Sequence, residues 1–273
     1  MGLGSNSAIE SVREFLDRVD SLHGERGFRG SKFKREAWEQ LWFRGQYQAS
    51  WDLRPKIYRP EFRDADEAEI RQEFQSKAVQ LIQGRIPESS YEWYFLMQHY
   101  GVPTRLLDWT DNPLAALYFA VESGSSPMNS AVWVLDPSAW NQAMEMTFDA
   151  PLLPEWQEAK QWLFELEVSF STATSFSQES PAAIDPPHVD RRLAAQSSHF
   201  VIFGREREMT ASMKRMNADK KPRDQAWLRS IQVAHGRQSA ILNQLRSYGV
   251  SRFSVFPDLE NLGSDISRKW RKS

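Results

Sequence analysis

The densest chemistry in the chain lies in residues 98–112, where Gln98, His99, Thr104, Arg105, Asp108, Thr110 and Asn112 stand among apolar neighbours. A buried polar group left unpaired costs roughly 1 to 3 kcal/mol, so this density implies either an internal hydrogen-bond network or a pocket completed by a ligand. Asp108, between Leu107 and Trp109, reads as the structural member of the set, a core acid paired with Arg44 or Arg105. His99 suits a general base or a ligand hydrogen bonder, and equally a structural imidazole at a helix end. Arg44, followed by Gly45 and Gln46, sets a planar, permanently charged fork beside backbone that carries no Cβ. It reads either as a ligand-binding arginine or as half of an ion pair with Asp108. Glu165 and Glu167 are spaced as Glu-x-Glu, the pattern of a strand's solvated face as much as of a catalytic pair. The basic residues between Arg205 and Arg223 are diluted by Glu206, Glu208 and Asp219, and read as solvated surface rather than as a nucleic-acid site.

These groups need elements to hold them. Leu41, Trp42 and Phe43 form a compact apolar run within residues 38–46, the pattern of a buried strand that delivers Arg44 at its end. Ile70, Phe74, Ala78, Val79 and Ile82 recur at helical spacing across residues 66–83. An aromatic helix follows over residues 92–100, with Gly101 suited to its C-terminal cap and Pro103 imposing an extended exit. Asn112 and Pro113 have the N-cap and first-turn chemistry of a third helix, whose apolar residues 114–121 require burial. The N-terminus of that helix is also a generic anion site.

Elsewhere, Ile9, Val12, Phe15, Leu16 and Val19 predict an opening amphipathic helix behind Ser5 or Ser7. Short strands are expected at 131–135, 163–170, 200–203, 231–234 and 252–255. A helix is expected at 239–248 closed by Gly249, and residues 171–187 read as a long loop. Strands and helices do not alternate regularly. The expected class is therefore α+β, a single domain with a small mixed or antiparallel sheet packed by helices.

Composition narrows the function. Lys and Arg number 34 against 36 Asp and Glu, a net charge of -2 that gives no global attraction to nucleic acid or anionic lipid. The chain contains no cysteine, which excludes thiolate catalysis, disulfides and Cys-ligated metals. His23, His99, His188, His199 and His235 show no metal-ligand spacing, so no metal is expected. Walker, dinucleotide-fold, zinc-protease and serine-hydrolase motifs are all lacking. Neither a secretory signal nor a long apolar run occurs, so the expectation is a soluble, cytoplasmic protein without a membrane partner.

Three segments resemble the FRG family. Phe43, Arg44 and Gly45 continue into Gln46; the run QHYGVPTRLLDWTDNPLAALYFA over residues 98–120 matches that family's longest signature almost letter for letter; and residues 192–204 with 255–259 resemble its later elements. Ser198 stands where the family pattern has Gly. The resemblance implies a domain over residues 38–262, between an N-terminal helix and basic loop (1–37) and a tail (263–273). An arginine ending an early core strand is in turn similar to the one with which ADP-ribosyltransferases grip the phosphates of NAD.

That likeness implies NAD as substrate and an ADP-ribosyltransferase-like core. Arg44, Gly45, Gln46, Gln98, Arg105, Asp108 and Asn112 would then bind the nucleotide, while His99, Thr104 and Gln196 carry out the chemistry. Gln196 takes the place of a late-strand Glu, with Glu165 and Glu167 as rivals. The implied activity is ADP-ribosyl transfer to a protein or nucleic-acid target, or NAD hydrolysis, in phage defence or stress response. The alternative is a non-catalytic nucleotide- or anion-binding module. Oligomeric state is not encoded in any motif.

Overall fold

The computed structural model describes residues 7–25, 41–63, 65–82, 84–124, 126–144, 180–185, 198–210 and 228–270. Six strands make one open antiparallel sheet: β1 (Trp42–Gln46), β2 (Leu106–Thr110), β3 (Ser130–Leu135), β4 (Ala182–Ile184), β5 (Ser198–Ile202) and β6 (Leu228–Val233), in the order β4-β5-β2-β1-β3-β6. Both faces are covered, which is why the central strands read as continuous apolar runs. On one face Phe43 meets α1 (Val12–Glu25), α4 (Pro113–Val121) and α6 (Gln238–Ser247) in a core with Val132, Val134 and Val233. On the other, Trp42, Leu107, Trp109 and Leu135 pack with Trp140 of α5 (Pro137–Ala143). The class is α+β, as the irregular order of elements implies. No helix among the described residues is long and apolar enough to cross a membrane.

Local chemistry sets the helix starts. In α2 (Glu67–Ala78) the Asp66 carboxylate accepts from the N–H groups of Ala68 and Glu69, and α3 (Ser90–His99) opens on a reciprocal capping box between Ser89 and Glu92. Gly101, at φ +70°, turns the chain after α3 so that it returns through Thr104 into β2.

Four segments differ from the sequence reading. Ile9 lies outside α1 and bridges Val233, donating to the Gln232 carbonyl at 2.8 Å and accepting from Ala234 at 2.9 Å. Residues 106–110 are a full strand rather than merely an extended exit; with both faces occupied, the sequence shows no alternation there. Residues 182–184, read as loop, form β4, because the Asn141 side chain both donates to and accepts from the Ala183 backbone and holds it against β5. Residues 252–255, read as strand, are a helical turn, α7 (Arg252–Val255), fixed by a Ser251–Ser254 capping box and by Asp265 of α8 (Leu259–Trp270) accepting from Phe253 N–H. The strand expected at 163–170 lies outside the described residues.

Candidate functional site

The strand pleat sends Trp42, Arg44 and Gln46 to one face of β1, and Phe43 and Gly45 to the other. β1 and β2 share a single register pair, Phe43 with Thr110, whereas β1 pairs with β3 along its whole length. Beside that short seam the Arg44 guanidinium reaches β2, where Nη1 donates to the Asp108 carbonyl at 2.8 Å. The Asp108 carboxylate is farther off, with Oδ2 at 3.8 Å from Nη1, and its side chain is 54% exposed against 17% for Arg44. Asp108 is thus not the buried partner expected from its apolar neighbours: its position at the seam leaves the carboxylate to solvent.

A chain of hydrogen bonds fixes that carboxylate. Gln98 Nε2 donates to Asp108 Oδ2 at 2.7 Å, Thr104 Oγ1 donates to Gln98 Oε1, and Leu106 N–H donates to Thr104 Oγ1 at 3.1 Å. Four of the residues singled out in the sequence, Arg44, Asp108, Gln98 and Thr104, therefore form one network. Arg44 is not saturated by it. Its Nε is buried without a hydrogen-bond partner among the described residues. Burial pulls the guanidinium below the ordinary arginine value, Asp108 pushes it back up, and the charge of nearby Arg59 lowers it again. Arg59 itself has no ion-pair partner among the described residues. Two cations close enough to repel, one with an unsatisfied donor, make an arrangement that an anion would stabilise.

The other candidate residues take different places. Gly45 serves the fold: a Cβ there would stand 2.0 Å from the Ala116 carbonyl and 2.6 Å from Ala120 N, so its absence lets α4 lie directly on β1. Gln46 is buried, accepting from Trp133 Nε1 at 2.7 Å and donating to the Asp52 carbonyl at 3.3 Å. Arg105 does not meet Asp108. Glu67 accepts from its backbone N–H at 2.9 Å, from Nε at 2.8 Å and from Nη2 at 2.7 Å. Burial would depress this guanidinium, but Glu67, Tyr58 and Tyr94 outweigh it, and it rises above the ordinary value. Asn112 caps α4, its Oδ1 accepting from Leu114 at 3.0 Å and Ala115 at 3.1 Å, so the helix terminus is filled by the chain's own oxygen. His99 is half-buried, edge-on to Tyr100. Gln196, Glu165 and Glu167 lie outside the described residues.

Sequence reasoning did not single out His199. On β5, its ring stacks on Trp42 with centroids 4.5 Å apart and planes 9° from parallel. Nδ1 lies 2.8 Å from Asp185 Oδ1 and Nε2 3.9 Å from Asp111 Oδ2. Burial lowers its pKa, and the two carboxylates overcome that and raise it above the usual histidine value. No local motif announces this cluster, since residues 111, 185 and 199 meet only through strand pairing. Arg59 was missed for the same reason. Among the described residues no group of three acidic or histidine side chains has a metal-holding arrangement.

No curated protein and no solved structure matches this chain. A family model does, over residues 39–129, a span that holds Arg44, Arg59, Gln98, Thr104 and Asp108 and makes up one third of the chain. The model matched is that of the FRG domain.

Proposed function

We propose that this protein binds a phosphate-bearing nucleotide at Arg44, with NAD as the ligand and Arg59 as the second cation. The observation that carries the reading is the unsaturated, buried Arg44 guanidinium, whose nearest carboxylate stands 3.8 Å away. Structural arginines are usually closed by a carboxylate, as Glu67 closes Arg105; Arg44 has none within hydrogen-bond distance, and the charge of Arg59 is near enough to lower its pKa. Likeness to the phosphate-gripping arginine of ADP-ribosyltransferases supplies the choice of NAD.

A second reading adds turnover: ADP-ribosyl transfer or NAD hydrolysis. In that reaction the bond between ribose C1 and the nicotinamide nitrogen breaks, nicotinamide leaves with the electron pair, and an acceptor oxygen bonds to C1 and loses its proton. What favours it is the presence of a half-exposed carboxylate, Asp108, beside the arginine, because a carboxylate stabilises the positive charge developing on the ribose. Thr104 speaks for binding alone, since it is wholly buried with its hydroxyl engaged by Gln98 and Leu106. Phage defence and stress response are biological settings compatible with either.

The test is NAD titration by calorimetry with nicotinamide release followed in parallel, for wild type, Arg44→Ala and Arg44→Lys. Both variants should fold and lose binding, since Lys cannot reproduce the two-pronged contact. Wild-type affinity in either variant would remove Arg44 from the site, and binding without nicotinamide release would reject the turnover reading. The same series with Gln196→Glu asks whether a carboxylate there accelerates release, the expected gain from a well-placed charge being about 2.7 to 4 kcal/mol in the barrier.

A further inference from the structure

We infer that Asp108 reads the sugar of the ligand, so that the site takes a ribonucleotide and discriminates against both bare phosphates and nucleotides lacking ribose hydroxyls. The inference rests on the Arg44 reading and narrows it.

The argument begins with an apparent conflict. A receptor for simple anions gains nothing from a free carboxylate next to its arginine, because that charge repels the ligand. Yet Asp108 is held there deliberately: Gln98 fixes Oδ2 at 2.7 Å, Thr104 fixes Gln98, and the backbone of β2 fixes Thr104. Arg44 does not neutralise it by close pairing, since its short bond goes to the Asp108 main-chain oxygen instead. Oδ1 makes no hydrogen bond to any other described residue, and the side chain is half exposed. The result is a positioned carboxylate with one oxygen unclaimed, whose other oxygen stands 3.8 Å from Nη1 of a guanidinium that no carboxylate closes.

A ligand matching both must carry an anion and a hydroxyl donor a few ångströms apart. A ribose phosphate has that pairing, its sugar hydroxyl donating to Oδ1 while a phosphate oxygen accepts from Arg44. Inorganic phosphate and pyrophosphate have only the anion. A dideoxynucleotide keeps the phosphates and base and leaves the carboxylate unmatched, which is the kind of loss by which a polar site rejects an analogue.

The experiment compares ADP, 2′,3′-dideoxy-ADP and pyrophosphate by calorimetry on wild type and Asp108→Asn. Wild type should prefer ADP over the dideoxy analogue by about tenfold or more, the worth of one hydrogen bond to a charged group. Asp108→Asn should reduce that preference to about twofold and bind pyrophosphate more tightly, because a repelling charge is gone. Equal wild-type affinity for ADP and its dideoxy analogue overturns the inference while leaving anion binding at Arg44 intact, as does full retention of the preference in Asp108→Asn. If wild type binds neither ADP nor pyrophosphate, the Arg44 reading falls and this one with it. Should Asp108→Asn fail to fold, Asp108→Ser is read by the same criteria.

Discussion

Arg105 and Arg44 each approach β2 and each meet an acid, but Glu67 closes one pair and Asp108 leaves the other open. Three contacts of 2.7 to 2.9 Å join Glu67 to Arg105, with side chains 9% and 11% exposed. The Arg44 carboxylate partner lies at 3.8 Å and is 54% exposed. A closed pair pins α2 to the start of β2 through its carboxylate. An open one holds its charge in position with no carboxylate within hydrogen-bond distance. Geometry, rather than residue type, separates the arginine closed by a buried acid from the one left open beside a solvated acid.

Breaking the closed pair should have the largest effect. Glu67→Ala leaves the Arg105 guanidinium buried without its carboxylate, and should lower the unfolding free energy by about 3 to 5 kcal/mol in denaturant titration. A loss below about 1 kcal/mol would erase the distinction between the two pairs. Gly45→Ala, next to Arg44 but on the opposite face, pushes a methyl group into the α4 backbone. Overpacking of this kind should cost about 1 to 3 kcal/mol or more and lower the melting temperature. A neutral substitution would mean that α4 can slide.

His199 tests whether a cluster outside both pairs is structural. His199→Gln should cost about 1 to 3 kcal/mol near pH 6 by removing the cation that Asp185 contacts at 2.8 Å and Asp111 approaches at 3.9 Å. The folded pKa is raised, so this contribution is fully present below the unfolded value of about 6.5 and is lost as pH rises through the folded one. The gap between wild type and variant should therefore narrow on the alkaline side. A gap that widens there would show that the imidazole is neutral when folded. The smallest stability effect belongs to Arg44→Ala, at about 1 kcal/mol or less, since its partner carboxylate is solvated. Unfolding of that variant would instead make Arg44 a second structural arginine.

Much of the frame was legible locally. Asn112 and Pro113 start α4, Gly101 and Gly249 close α3 and α6 with positive φ, and the run at 41–43 marks the central strand. These features depend on residues within a turn of one another. Segments without such signals misled: Ala182, Ala183 and Ile184 form a strand only because Asn141 secures them, and residues 252–255 are helical because Ser251 and Asp265 supply partners.

The candidate site divides in the same way. The sequence by itself determined that Arg44 belongs to a core strand, though the strand runs on to Gln46 and sets Arg44 in its middle rather than at its end, and that residues 98–112 concentrate polar groups in apolar surroundings. Only the tertiary structure decided which arginine each acid meets. Arg105 and Asp108 are three residues apart, yet Arg105 is held by Glu67 while Asp108 stands at the seam with β1. It also decided that Gly45 answers to α4 and that Asp111, Asp185 and His199 converge beneath Trp42. Partner choice follows from distances set by strand register and helix packing, and residues far apart in the chain carry no sequence signal of how closely their side chains will approach.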